Sequence, residues 1–389
     1  MATTISPTQE AVIGAALEAR PVAFDVIPRS SWDRLLARTW SPTPFSRWNF
    51  HRAWWDAYGE TAHEQYLAVV PEDSGPQIDW ERAIAIVPLM HRHEVEPGDA
   101  AEHTVLRPHD PTCSTVPGDA KAIFFGASYH ADYASVLAAP ADLPAVADAL
   151  ATALFGPPDP AHGPRDWDVV DLRRLRPADP ALVALEAAFR DPTHGWYVAR
   201  EKEDVCPVIT TPSGDWDEYL ATLDKKDRHE IRRKMRRAEA VGEMTIEVST
   251  PAEEAIEAFI ELHRARFGEN GLFPDNAGGE RSRRFVQRLA QLECDDPQGH
   301  LQVGLVRCGG RLVFAMVAFD DGQTCFLYNA GIEPTAREVS PGITGAAMYF
   351  KDRMAAGRRR FDFLRGAEPY KYEWGAVDEP IERLLVTRP

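Results

Sequence analysis

Between residues 301 and 331 three apolar, β-branched runs alternate with two tight-turn dipeptides, a pattern that leaves little room for anything but a sheet meander. Leu301–Arg307 leads into Gly309-Gly310, Arg311–Phe319 into Asp321-Gly322, and Gln323–Gly331 follows. A helix is predicted from Ile343 to Ala356, opened by Ser340-Pro341-Gly342 and stopped by Gly357. Upstream, Met244–Val248 reads as a strand and Pro251–Phe267 and Glu280–Glu293 as helices. Downstream, Phe361–Leu364 and Leu384–Thr387 close the sheet. The order β-α-α-β-β-β-α-β-loop-β predicts an α/β fold, a mixed sheet with helices on its faces.

The first half reads as a degenerate copy of the same plan. Val22–Ile27, Gln65–Val70, Ala83–Met90, Ile123–Gly126, Asp168–Leu172 and Trp196–Ala199 are strand candidates. Ser30 or Ser31 caps one helix, Phe50, Trp54 and Tyr58 mark the apolar stripe of a second, and Leu143–Phe155 and Pro180–Arg190 form two more. A chain of 389 residues exceeds one comfortable core. The expected division is a flexible tail over 1–21, an N-terminal domain over 22–200, a linker over 201–215 and a C-terminal domain over 216–389.

The net charge of -17 argues against broad binding to nucleic acid or anionic membranes. The five cysteines, Cys113, Cys206, Cys294, Cys308 and Cys325, are scattered and odd in number, which fits a reducing compartment better than a disulfide framework. No basic segment followed by an apolar stretch opens the chain, and no apolar run approaches the ~18 residues needed to span a bilayer. A cytoplasmic protein without a membrane span is expected.

Two segments carry the chemistry. At Ser340-Pro341-Gly342-Ile343-Thr344-Gly345 a helix begins just after a strand, offering unpaired amides and a partial positive charge to a phosphate. The same residues also read as a Ser N-cap with Pro at N1, which needs no ligand. There is neither a phosphate-binding lysine loop nor a G-x-G-x-x-G. The second segment, Asp362 to Ala376, packs Arg365, Glu368, Tyr370, Lys371 and Trp374 into ten positions after a short strand. Together they suggest acyl transfer from a phosphate-bearing donor.

These motifs resemble the GNAT acyltransferase superfamily, and within it the tandem-domain, CelD-type branch of cellulose-biosynthesis acetyltransferases, akin to the FemAB aminoacyltransferases. The matching residues are Phe45 with Trp48, Trp54 and Trp55; Pro88-Leu89; Asp132-Tyr133; Tyr219 with Lys225-Lys226 and Arg228; Ser340-Pro341-Gly342; and Asp362-Phe363-Leu364-Arg365-Gly366 with Glu368-Pro369-Tyr370-Lys371. The resemblance implies two tandem GNAT-like domains and acetyl-CoA or another acyl-CoA as donor, with no metal. It places pantetheine against the strand carrying Tyr328 and Asn329 and pyrophosphate on Ser340–Gly345. It implies a cleft receiving a small-molecule, glycan or peptide acceptor, with Asp132, Tyr133, Arg228, Arg365, Lys371 and Trp374 as contacts. The usual GNAT loop is richer in Gly and in Arg or Gln than this one. The FemAB branch opens a second reading, with aminoacyl-tRNA as donor, and a third is a non-catalytic acyl-CoA- or glycan-binding module.

Acyl transfer needs a base for the acceptor, donors for the oxyanion and a proton for the thiolate. Glu368 is the first candidate base, its alternative being an ion pair with Arg365 or Lys371 that holds the loop. Asp362 alternates with Phe361 and Phe363 and so faces a cleft or caps a loop. Tyr328 and Tyr370 are candidate proton donors to the thiolate, or buried hydrogen-bonded tyrosines. Asp224 to Gly242 is a helix with Lys225, Lys226, Arg228, Arg232, Arg233, Lys234, Arg236 and Arg237. It grips an anionic acceptor or a tRNA arm, or it is a solvated face. His91 and His93 lack a third metal ligand at a suitable spacing.

Overall fold

The computed structural model describes residues 16–92, 122–155 and 167–387. In the first half the strands are β1 (Leu17–Pro21), β2 (Ala62–Glu64), β3 (Leu67–Pro71), β4 (Ala85–Val87) and β5 (Leu89–Arg92). They are followed by β6 (Ala122–Phe125), β7 (Leu137–Ala138), β8 (Val169–Leu175) and β9 (Tyr197–Thr210). Helices α1 (Arg29–Leu36), α2 (Trp48–Tyr58), α3 (Leu143–Phe155) and α4 (Pro180–Phe189) lie between them.

The second half opens with α5 (Trp216–Thr222), α6 (Lys225–Val241), β10 (Met244–Ser249), α7 (Glu253–Phe267) and α8 (Ala277–Asp295). The meander β11 (Leu301–Cys308), β12 (Arg311–Asp320) and β13 (Thr324–Ile332) follows. After it come α9 (Pro341–Ala355), β14 (Arg360–Asp362), α10 (Pro369–Tyr372) and β15 (Val377–Thr387). Gly309 and Gly310 both take positive φ, 56° and 80°, so the Gly-Gly pair makes the tight hairpin turn expected of it.

Among the described residues one mixed sheet runs β10-β11-β12-β13-β14-β9-β15-β8-β6-β5-β2, and a smaller one runs β1-β3-β4-β7. The two halves of the chain therefore share a sheet. The expected linker over 201–215 is corrected accordingly, because residues 201–210 continue β9, which pairs with β15 as far as Val208 and with β14 at its end. The unbroken charged run Arg200–Asp204 lies on the less buried part of that strand, and with Pro207 after it the run imitates a linker's composition. Val22–Ile27 is also corrected: residues 24–26 form a single 3-10 turn, and the strand is Leu17–Pro21, within the stretch expected to be tail. Residues 1–15, His93 and Cys113 lie outside the described residues.

One apolar core crosses between the halves. Helix α2 lies on α8, with Phe50 edge-on to Phe285 at 5.3 Å, and Phe45 meets Phe319 at 5.8 Å. Trp54 and Tyr58 are fully buried in this core, and each such aromatic contributes on the order of 2 kcal/mol. The halves are thus fixed against each other, and the space between them has a defined shape.

Candidate functional site

The site begins where two parallel strands part. β13 and β14 pair only over Thr324–Phe326 and Arg360–Asp362, the last partners being Phe326 and Asp362. Beyond that point the chain swings toward β9: the amide of Phe363 donates to the Pro207 carbonyl at 3.0 Å and that of Gly366 to Val205 at 3.0 Å. Asp362 drives the turn. Its Oδ1 accepts the Leu364 amide at 2.8 Å, and Leu364 takes a left-handed φ of 59°, costly for a branched residue. Lys371 then clamps the bend, its buried Nζ donating to the carbonyls of Leu364, Arg365 and Gly366 at 3.1, 3.0 and 2.9 Å. The result is a fork, one arm of which is Leu327–Ile332 of β13.

At the base of the fork Tyr133 donates its hydroxyl to Oδ2 of Asp362 at 2.7 Å. Burial pushes the Asp362 carboxyl up to about 6, although Tyr133 and the Leu364 amide both oppose the rise. Burial also raises the Tyr133 phenol well above its ordinary range, so it stays a neutral donor. A cleft of about 580 Å³ opens here, lined by Trp40, Tyr133, Arg176, Thr324, Phe326 and Asp362 among others. Cys206 adjoins the pair, its thiol pushed up by burial and by the Asp362 charge, which leaves no reactive thiolate.

Tyr328 stands on the fork's β13 arm. Val317 faces Asn329 and Ala318 faces Leu327, so Tyr328 is the extra residue of a bulge that re-aims its side chain. Its hydroxyl lies 3.2 Å from Nδ1 of His130, whose Nε2 is 2.7 Å from the Tyr58 hydroxyl. Tyr58 in turn meets Ser282 Oγ at 2.9 Å. The His130 ring stacks on Phe285 at 4.2 Å, which fixes its plane. A continuous hydrogen-bonded line thus runs from the fork into the core. Burial, with Asp132 nearby, pushes the Tyr328 phenol well up.

Past β13 the chain reaches the N-terminus of α9. Ser340 is left-handed at φ 51°, and its carbonyl accepts the amides of Ile343 and Thr344 at 3.0 and 3.1 Å. Its side chain makes no cap bond, so the simple Ser N-cap is not what opens this helix. Two parts of the expected phosphate cradle are corrected. Gly345 serves helix packing, since a Cβ there would sit 2.2 Å from Cγ of Phe314. Thr344 is fully buried and gives its hydroxyl to the carbonyls of Val339 and Ser340. Gly342, with only Ile332 Cδ1 at 3.1 Å from an added Cβ, keeps the mouth low. Asn329 folds back, accepting the Ala330 amide at 2.8 Å.

The remaining expected contacts divide sharply. Glu368 is exposed and pairs with Lys371 at 2.9 Å, the loop-holding alternative. Lys371, 3% exposed, is occupied by that pair and by three carbonyls, so its expected acceptor contact is corrected to a structural clamp. Trp374 is corrected likewise: it is buried against Phe350, and its carbonyl accepts the Tyr219 hydroxyl at 2.7 Å. Arg365 donates to Asp132 at 3.1 Å, and although burial works against its charge, Asp132 and Glu203 hold the guanidinium above its ordinary range. Tyr370 is exposed and lies edge-on to Phe363. Arg228 donates to the Ala221 carbonyl at 3.1 Å. Sequence reasoning missed His130, Tyr58 as a polar group, and Arg176. The Tyr129-His130 pair just before Asp132-Tyr133 was the available signal for the first.

Helix α6 packs through Ile231 and Ala238 on α9 and on the turn at Arg337–Val339 that leads into it, leaving Arg232, Arg233, Arg236 and Arg237 exposed. Arg232 pairs with Asp217, and Arg233 and Lys234 with Glu230.

Residues 225–372 match a family model described as an acetyltransferase (GNAT) domain. Among curated proteins none matches the sequence. The structure of FemX covers 94% of this chain and 96% of its own, with a TM-score of 0.55 at 11% identity. A conserved protein of unknown function from Bacteroides thetaiotaomicron VPI-5482 covers 95% and 99%, with a TM-score of 0.53 at 13% identity. The fork, the bulge at Tyr328 and the α9 mouth all fall within the matched segment. Residues 225–372 are thus similar to an acetyltransferase (GNAT) domain, in a chain whose fold is like that of FemX.

Proposed function

We propose that this protein is an acyltransferase that moves an acetyl or longer acyl group from acyl-CoA to an amine or hydroxyl of an acceptor bound in the Asp362 cleft. The observation that carries the reading is the fork, which leaves the Leu327–Ile332 backbone open to a pantetheine arm between the α9 mouth and Asp362. The diphosphate rests on the backbone of Ser340 to Ile343, and the thioester lies near Tyr328.

Asp362 replaces Glu368 as the base. At pH 7 a carboxyl raised to about 6 is ionised yet basic enough to take the proton of an amine nitrogen as it attacks and becomes cationic. The acceptor nitrogen bonds to the thioester carbon, the C–S bond breaks, and the amine proton passes to Asp362. A thiol has a pKa near ~8.5, so the still higher phenol of Tyr328 does not surrender its proton outright. It donates a hydrogen bond to the sulfur, which leaves as a thiolate, while His130, bonded behind it, holds the hydroxyl in place. Burial of the thiols of Cys206 and Cys325 favours this direct attack over a covalent enzyme intermediate.

The motif resemblance to CelD-type proteins favours an acceptor related to sugars or the cell envelope, and the scattered cysteines favour a cytoplasmic enzyme. The exposed basic residues of α6, a helix packed on the turn that leads into α9, support a second donor, aminoacyl-tRNA, as in FemAB proteins. Thermal melting with acetyl-CoA and with aminoacyl-tRNA separates the two. A rise with acetyl-CoA alone, together with acyl transfer, supports the first; a rise with tRNA alone overturns it.

A further inference from the structure

The cleft at Asp362 is unevenly charged. Its lining holds two cations, Arg176 and Arg360, and three acids, Asp321, Asp362 and Glu379. Arg360 is already matched, gripping Glu379 with two bonds of 2.7 Å. Arg176 is not. Its guanidinium lies 4.6 Å from the Trp40 ring centre and 5.5 Å from that of Tyr133, and it donates to the Ser41 hydroxyl at 2.9 Å and carbonyl at 2.5 Å. Among the described residues no carboxylate forms an ion pair with it. Burial draws its pKa down, and the Asp179 charge only partly opposes this. Asp179 and Asp362 act on it only at longer range, and a half-buried cation held by two rings and a turn, with no carboxylate in direct contact, is costly unless something pairs with it.

Resting on the acyl-transfer reading, we propose that the acceptor is an amino carboxylate, its carboxylate docking on Arg176 and its amine lying at Asp362. The lining argues for that chemistry over a phosphate ester. One uncancelled cation suits a monoanion, whereas a dianion would face Asp321 and Asp362 with too little positive charge to offset them. A zwitterion answers both ends of the cleft at once. A volume of about 580 Å³ is ample for a molecule of amino-acid size with a substituent. Contacts to the Trp40 and Tyr133 rings and the bonds to Ser41 hold the guanidinium in place, and a guanidinium offers two-pronged carboxylate recognition.

The test is acyl transfer from acetyl-CoA to a ladder of ω-amino acids from glycine upward, each against its own amide, with 2-aminoethyl phosphate alongside. Wild type, Arg176→Met and Arg176→Lys are compared, with melting curves to confirm folding. The expected result is that at least one acid outruns its amide by about tenfold or more in kcat/KM, chiefly through KM. Arg176→Met collapses that preference and Arg176→Lys restores part of it. Amides used as well as acids, a preference that survives Arg176→Met, or 2-aminoethyl phosphate outrunning every acid would each overturn the proposal. The same probes are scored for binding by ligand-observed NMR. Discrimination in binding without transfer keeps the Arg176 anchor and sinks the acyl-transfer reading, and no discrimination in either assay sinks the anchor.

Discussion

Tyr133 and Asp362, 229 residues apart in sequence, meet through a 2.7 Å hydrogen bond at the point where β13 and β14 separate. The bond joins the two halves at the one carboxylate whose other oxygen makes the turn that opens the fork. Geometry and reactivity therefore share a residue.

Asp362→Asn separates them. Asn keeps an acceptor for the Leu364 amide, and the Tyr133 hydroxyl can rotate to accept from the new amide group. Acyl transfer should fall by ~10²-fold or more, the usual scale for a lost base. In wild type kcat/KM should rise with pH through about 6, and the variant should lose that limb.

Stability moves the other way. The folded protein holds the Asp362 proton more tightly than the unfolded chain does, so this residue's contribution declines as pH rises from the ordinary value of 3.8 through about 6. The buried charge costs on the order of 3 kcal/mol above that window. Asp362→Asn should therefore melt at or above the wild-type temperature at pH 8, with a flatter pH dependence between these limits. A large drop in melting temperature at pH 8 would refute the assignment.

Glu368→Gln should change turnover by no more than a few-fold, since Glu368 pairs with Lys371 at the exposed edge of the loop. Lys371→Met should be far more damaging, because three carbonyls lose their donor in a buried bend; a loss of about 2–4 kcal/mol is expected. Denaturant melts and steady-state rates on the two variants decide this. A dead but stable Glu368→Gln enzyme would return the base to Glu368.

Tyr328→Phe should lower kcat by roughly 10–100-fold with little change in donor affinity, and His130→Ala should lower it through the same route. Rates measured with acyl donors of differing leaving-group acidity check the role. The variant's deficit should shrink as the leaving group becomes more acidic, and a constant deficit would contradict it.

At the α9 mouth, Ser340→Gly should stabilise by about 1 kcal/mol by relieving a left-handed backbone. Gly345→Val should destabilise strongly, because the new atoms fall inside the Phe314 ring. Thermal melts read both, and a harmless Gly345→Val would show that α9 does not pack on β12 as described.

Much of the C-terminal half was legible because its signals are local. The Gly309-Gly310 turn, the alternation of β11 to β13 and the Pro341 helix start each declare themselves within a few residues. β9 was not legible. Its charged, Pro-containing stretch reads as linker until β15, almost 180 positions away, pairs along it. The site shows the same contrast. Asp362 was visible as an acid among aromatics, but its partner Tyr133 and the matching of Glu368 with Lys371 depend on how the loop closes. His130 and Arg176 acquire meaning only from Tyr328 and Trp40, which the fold brings across from distant segments.

The most direct measurement is amide hydrogen exchange on the full chain with and without saturating acetyl-CoA. The account predicts slowed exchange concentrated in Leu327–Ile332 and Ser340–Ile343, the two backbone stretches facing the fork and the helix mouth. No protection there, or protection confined to a different face of the protein, would contradict it.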